Sequence, residues 1–344
     1  MKHMPNTLYV TQPDSYIFKE GDTVVVKHGD QKLVQLPVHT IGQIVCFGFT
    51  IMLSPPLMSF CAENGVSVSW LSESGKFLGR VEGPVRGNVL LRREQYRFAD
   101  KPEKALEIAQ CVVAAKINNS RMNLQRFIRN QPGNVHHTEI RDQCDHLERL
   151  LADVERCPDM DRLRGIEGEA AGGYFSVFDH LIIQQKDDFR FAGRSRRPPM
   201  DRVNALLSFV YTLLVFDTRS ALETVGLDPY VGFLHTDRPG RPSLALDLME
   251  EFRAPLADRI VFNLINRKQV IGDQFVVHGT GEVEMNSDCR KTLIVAYQNR
   301  KKDTIAHSFL AETMEIGLVF HNQARLLARH IRGDLDLYPA MIWK

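Results

Sequence analysis

The sequence has no Cys-x-x-Cys pair, no long unbroken apolar run and almost no imbalance of charge, and each absence excludes a class of protein. Its six cysteines, Cys46, Cys61, Cys111, Cys144, Cys157 and Cys289, are scattered. That excludes a zinc knuckle or a redox pair and fits reduced thiols in a cytoplasm. The longest apolar run, Val203 to Val215, is broken by Asn204, Ser208 and Thr212, is too short for a bilayer and reads as a buried helix. No apolar segment follows Met1-Lys-His-Met-Pro5, so neither a secretory leader nor a membrane association is expected. The 43 basic and 42 acidic residues leave a net charge of +1, so a grip on nucleic acid has to come from local basic faces rather than a global field. There is no internal repeat or low-complexity segment.

What is there is an ordinary globular composition, 44% hydrophobic and 25% charged over 344 residues, for which two domains are the natural expectation. From Thr7 to Phe98 the chain runs in short β-type stretches: Tyr16–Phe18, Thr23–Val26, Lys32–Val34, Gln43–Phe47, Ser67–Trp70, Phe77–Leu78 and Asn88–Leu91. Gly21-Asp22, Gly29-Asp30 and Ser74-Gly75 supply turns between them, and Pro56–Glu63 has helical spacing closed by Asn64-Gly65. Residues 99–104, polar and with a proline, read as a linker. Beyond it the pattern turns helical, over Ala105–Arg129, Leu163–Leu181, Asn204–Phe216, Pro255–Asn266, Lys291–Tyr297 and Ile305–Ile331. The expected architecture is α+β and multidomain: a small β-sheet or β-sandwich domain at 1–98, then a larger all-α-helical catalytic domain at 105–344.

Three short motifs carry candidate chemistry. In Arg164-Gly-Ile-Glu-Gly168, Glu167 lies at the border of an apolar stripe of Ile166, Ala170, Val177 and Leu181. Gly165, Gly168, Gly172 and Gly173 lower helix propensity there, which suggests close approach of another helix or a ligand. The plainer reading makes Glu167 a solvated acid paired with Arg164. In Gly232-Phe-Leu-His-Thr236, His235 projects from a proline-bounded loop; alternatively it caps the helix that follows. Asp247 and Glu250 share a face if Leu244–Phe252 is helical, one binding metal while the other supports it, or both forming a solvated acidic helix start. Two carboxylates and an imidazole, completed by water and phosphate oxygens, suit Mg²⁺ or Mn²⁺ better than a closed zinc site. Phosphodiester chemistry follows from such a cation.

Candidate phosphate contacts are Lys116, Arg121, Arg126 and Arg129 on one helix, Arg194, Arg196 and Arg197 in a loop, and Arg300, Lys301 and Lys302 in a third cluster. Such clusters also occur as solvated faces. Tyr174 and Tyr211 are candidates for contacts at a DNA end, with buried packing as the alternative.

The segments Arg164–Gly168, Asp201–Phe209, Gly232–Thr236 and Asp247–Glu250, in this order and spacing, resemble the CRISPR-associated integrase, the first Cas protein ("Cas-one"), and the tail Tyr338–Lys344 resembles its subtype I-C branch. The resemblance spans nearly the whole chain. It implies metal ligands at Glu167, His235 and Glu250, where many relatives carry aspartate at the last position, and leaves Asp247 as a supporting contributor. It also implies a homodimer joined largely through the β domains, with two such dimers bridged by a dimer of the small second Cas protein in a heterohexameric complex. The implied reaction joins the 3′-hydroxyl of a short double-stranded prespacer to the CRISPR repeat at the leader. Two other readings are a stand-alone metal-dependent nuclease or branched-DNA resolvase, and a non-catalytic DNA-binding scaffold whose acids only pair with Arg164 and Arg253.

Overall fold

In the computed structural model, which describes residues 6–72, 77–81 and 89–343, the chain divides into two units, Met1–Arg86 and Gly87–Lys344. The division precedes the expected linker at 99–104. Those residues instead form the corner between two helices of the second unit, and Pro102 opens the second of them, a position where a missing N–H and a fixed φ are harmless.

The first unit follows the alternating pattern closely. Its elements are β1 (Asn6–Val10), β2 (Ser15–Glu20), β3 (Thr23–His28), β4 (Gln31–Pro37), β5 (Ile41–Phe47), β6 (Met52–Leu53), α1 (Pro55–Glu63), β7 (Ser67–Leu71) and β8 (Phe77–Val81). Two four-stranded sheets result, in the orders β1-β5-β7-β8 and β4-β3-β2-β6. The β2–β3 and β3–β4 hairpins turn on Gly21-Asp22 and Gly29-Asp30, with both glycines at positive φ. Ile17, Val24 and Val26 from one sheet and Ile44, Cys46 and Val68 from the other meet Leu57 and Cys61 of α1 in one core. Helix α1 starts where Ser54 Oγ accepts the Leu57 N–H at 3.3 Å. The expected turn at Ser74-Gly75 lies outside the described residues.

The expected strand Asn88–Leu91 is corrected: Val89 begins a helix, α2 (Val89–Ala99), and Asn88 is outside the described residues. Then come α3 (Pro102–Asn130), α4 (His137–Glu155), α5 (Met160–Ser176), a 3-10 turn at Phe178–Leu181, α6 (Arg202–Val225), α7 (Ser243–Met249), a π-helical turn at Arg253–Asp258 and α8 (Arg259–Asn266). The chain closes with β9 (Phe275–Val277), β10 (Val283–Met285), α9 (Ser287–Lys302), β11 (Thr304–Ala306), β12 (Thr313–Glu315) and α10 (Ile316–Ile331).

The second unit is therefore mostly helical but carries two antiparallel hairpins, β9–β10 and β11–β12. The second hairpin takes the front of the helix expected over Ile305–Ile331. There the buried His307 ring accepts the N–H groups of Phe309 and Leu310 through Nδ1, both at 3.2 Å, and Ala311 has a φ of +54°. Those local bonds hold a turn where helical spacing alone would continue the helix. Helix α6 is long and apolar enough to cross a membrane, yet 78% of its apolar window is buried inside the protein, so it reads as the core helix the sequence suggested. The helix glycines also differ from expectation. Only at Gly173 would an added Cβ meet a neighbour, Gln143 of α4 at 2.7 Å; Gly165, Gly168 and Gly172 face open space.

Candidate active site

Asp159 accepts the Arg162 N–H at 2.8 Å and starts α5. The helix buries Leu163, Ile166, Ala170 and Tyr174, which leaves Glu167 at the edge of that stripe and against α3. Glu167 does not pair with Arg164. Its partner is Lys116 of α3, whose ammonium donates to Glu167 Oε1 and lies 2.9 Å from Glu250 Oε2. Glu250, at the C-terminal end of α7, is buried, and its other oxygen accepts from Arg253 at 2.7 Å. Burial by itself would raise the Glu250 pKa, but Arg253, Lys116 and His235 outweigh it and bring it down to about 2. The Oε2 contact with Lys116 is not aligned as a hydrogen bond, so this buried oxygen keeps unused acceptor capacity.

The histidine is aimed by Asp247, which is 1% exposed. Its Oδ2 accepts the N–H groups of Phe233 (2.7 Å) and Leu234 (3.1 Å), and its Oδ1 accepts the N–H of His235 (3.0 Å) and lies 2.6 Å from His235 Nδ1. With Nδ1 donating to the carboxylate, Nε2 is the atom left to coordinate. The wrap needs glycine at 232, where a Cβ would stand 2.9 Å from Asp247 Oδ2 and 2.8 Å from Ser243 Cβ. Arg164 ties the loop to α5, donating to the Leu234 carbonyl at 3.1 and 3.3 Å. Helix α7 starts at Ser243 behind Pro242, so His235 is not its cap.

Glu167 and Glu250 supply two carboxylates of the kind a hard divalent cation takes, and both meet at Lys116. The ammonium of Lys116 already occupies a cation's place between Glu167 and Glu250, and Glu250 Oε2 has capacity to spare. Lys116, Glu167 and Glu250 line one cleft with Tyr174, Tyr211 and Arg196, about 40 Å³ in volume. Glu167 and Glu250 are balanced in charge by Lys116 and Arg253, so a divalent ion has to displace Lys116. The structure does not bring Glu167, His235 and Glu250 within 4.8 Å of one another as a ligand set. Among the described residues, the group whose ligand atoms all lie within 4.8 Å of one another is His136, Glu139 and His180.

Tyr174 and Tyr211 are buried beneath the cleft. Both hydroxyls donate to Asp258, at 3.0 and 2.6 Å, and the Arg253 guanidinium stacks 4.3 Å from the Tyr211 ring centroid. Burial lifts the Asp258 pKa to about 6 against the pull of both tyrosines. This network holds Arg253, and through it Glu250.

The basic candidates divide. Arg126, Arg129, Arg196, Arg197 and Lys302 are exposed. Arg121 pairs with Glu148 at 2.8 Å and Arg300 with Asp303 at 2.6 Å. Arg194 points inward, to Ser195 O and Asn204 Oδ1 and over the Tyr211 ring. Lys301 is buried against Asp217 at 2.8 and 2.9 Å, which corrects its reading as a phosphate contact. What sequence reasoning missed is Lys116 as the ion between the carboxylates, because no periodicity says which helix packs against which. Arg253 was visible as the residue one turn beyond Glu250.

Residues 8–299 match the family model described as CRISPR associated protein Cas1. A CRISPR-associated endonuclease Cas1 from Chlorobaculum tepidum is 50% identical over 344 residues, covering 100% of both chains. Two solved structures share the fold at 22% identity. One is a casposase bound to integration product (TM-score 0.82, covering 97% of this chain and 93% of that one). The other is the Cas6-RT-Cas1–Cas2 complex (TM-score 0.83, covering 100% of this chain and 36% of that longer one). With the motif residues placed as described and a full-length relative at half identity, the chain belongs to the Cas1 family of CRISPR-associated proteins, whose relative at this identity is named an endonuclease.

Proposed function

We propose that the chain is a metal-dependent DNA integrase of CRISPR adaptation, with Glu167, His235 and Glu250 as the ligands of one Mg²⁺ or Mn²⁺. The observation that carries this reading is the convergence of two carboxylates on a single ammonium, beside a histidine whose Nδ1 is committed to a buried aspartate. A cation there supplies Lewis-acid polarisation of a phosphoryl oxygen and charge stabilisation for an in-line displacement. Glu167 and Glu250 would hold it, and His235 would complete the set through Nε2. Asp247 keeps the imidazole in the right tautomer and orientation. Lys116, released from the carboxylates, pairs with phosphate, and the exposed Arg196 at the cleft tracks the backbone. The incoming 3′-hydroxyl attacks the phosphodiester at the repeat border and the array strand's own 3′-oxygen leaves, so one phosphodiester replaces another and no ATP is needed.

The partners in this reading are double-stranded prespacer and repeat-leader DNA, a second copy of the chain and the small second Cas protein. The fold shared with the casposase and with the Cas6-RT-Cas1–Cas2 complex supports them. The β unit leaves Phe49, Met52 and Phe77 exposed, side chains that a homodimer through that unit would cover. The deciding assay combines the chain and the small partner with Mn²⁺ and a labelled prespacer-like duplex on a repeat target. Joined strands support integration, shortened ends alone support a nuclease, and chelator-insensitive DNA binding without products supports a scaffold.

Two further outcomes are expected. Lys116→Met removes the ion that competes with the metal, so Mn²⁺ should bind about ten-fold tighter or more, worth roughly 1.4 kcal/mol. The metal-free protein should melt lower, with two carboxylates left on one arginine. Calorimetric titration and a melting curve read both; weaker Mn²⁺ binding in this variant would count against the site. Asp247→Asn turns an amide NH₂ towards donors that need an acceptor, and is expected to weaken Mn²⁺ binding about 10- to 100-fold, measured by the same titration.

A further inference from the structure

We propose that His136, Glu139 and His180 form a second metal site, suited to a transition ion such as Zn²⁺ and separate from the carboxylate cleft. The three come from two segments distant in sequence. His136 occupies the N-cap position of α4 and Glu139 lies in its first turn, whereas His180 stands in the 3-10 turn that follows α5.

His180 Nε2 lies 2.7 Å and His136 Nδ1 lies 3.4 Å from the same oxygen, Glu139 Oε2. Around a tetrahedral ion with bonds of about 2.0–2.1 Å, neighbouring donors stand about 3.3 Å apart. The His136–Glu139 edge is thus already the right length, and the His180–Glu139 edge has only to open by about 0.6 Å to admit an ion. The imidazoles stack with centroids 3.7 Å apart and planes inclined by 9°. Closing on an ion tilts the rings out of the stack, a rotation open to side chains that remain 39% and 24% exposed.

Donor chemistry separates the two sites. Two nitrogens and one carboxylate oxygen, with water in the fourth position, make a zinc-type set, whereas the cleft offers two carboxylates and one imidazole. An ion here would staple the start of α4 to the turn at the end of α5, the helix that carries Glu167. Its role is to hold that helix in place rather than to act on DNA.

The test uses the full chain carrying His235→Ala, which removes the imidazole from the cleft, stripped with EDTA and titrated with Zn²⁺ in a calorimeter and with Co²⁺ by visible absorption. One equivalent of Zn²⁺, a rise in melting temperature and intense tetrahedral Co²⁺ bands are expected. Adding His136→Ala or His180→Ala should abolish all three. Zn²⁺ binding that persists undiminished in those double variants, or its absence from the parent, overturns the proposal.

Discussion

Alanine at His235 is expected to lower Mn²⁺-dependent strand joining by about a thousand-fold while the protein still folds and binds duplex DNA. A properly held cation contributes several kcal/mol of transition-state stabilisation, and each 1.4 kcal/mol is a factor of about ten in rate. The loss leaves the interior almost untouched. The histidine side chain is 28% exposed, and Asp247 keeps three backbone N–H groups as donors when the ring is gone. Single-turnover joining of a labelled duplex, with a melting curve and a gel-shift alongside, reads all three consequences. Joining at the unmodified rate in the variant would remove the proposed site.

The second large effect is expected one residue from Glu250. Glu251 points away from the cleft into the core, where it accepts the Tyr338 hydroxyl, Gln323 Nε2 at 2.7 Å and the Met341 N–H at 2.7 Å. Its carbonyl oxygen accepts from Asn119 Nδ2 at 2.8 Å and the Trp343 indole at 3.1 Å. The C-terminal tail is thereby fastened beneath the residue that precedes it in sequence, Glu250. Glu251→Ala leaves the Tyr338 hydroxyl and the Met341 N–H without an acceptor, at about 1–3 kcal/mol each, whereas Gln323 Nε2 keeps the Tyr338 oxygen and the Pro339 carbonyl; a loss of roughly 2–6 kcal/mol is expected in a denaturant titration, together with a fall in joining as Glu250 loses its support.

The same carboxyl imposes a pH dependence. Burial raises its pKa from 4.5 to about 7, against the pull of its three donors. A folded value above the unfolded one means that the folded state holds a proton which the unfolded chain has released. Stability is therefore complete below about pH 4.5 and declines as pH rises to about 7, by about 3 kcal/mol for this group. Asp258, raised from 3.8 to about 6, adds in the same direction. Glu250 acts oppositely and lower, its stabilisation lost only as pH falls from 4.5 through about 2. Glu251→Gln should flatten the slope between pH 4.5 and 7 in melting curves; an unchanged slope would show that this group does not carry it.

Legibility differed by element for physical reasons. The strands of the first unit could be read because side-chain alternation and two-residue turns are local, and the structure places their ends within three residues. Helix α2 was mistaken for a strand because Val89-Leu-Leu91 is a short apolar run that suits either period, and its helical partners lie further along the chain. The 304–315 hairpin escaped because a buried histidine ring holding two backbone N–H groups leaves no trace in periodicity. Glu167, His235, Asp247 and Glu250 were singled out because carboxylates and histidine in short motifs carry their chemistry with them. Lys116 looked like one more basic residue on a charged helix until α3 was seen against α5.

By itself, then, the order of residues decided that there would be a β-rich unit followed by a mostly helical one, and singled out the acids and the histidine to which the proposed chemistry is assigned, because turn residues, periodicity and ligand types act within a few positions of one another. Only tertiary packing decided that Asp247 is bonded to the 233–235 loop and the His235 ring, that Lys301 is spent inside the protein, and that Lys116 bridges two glutamates. Those outcomes depend on which groups, tens of residues apart, end up sharing a buried space where every charge must find a partner.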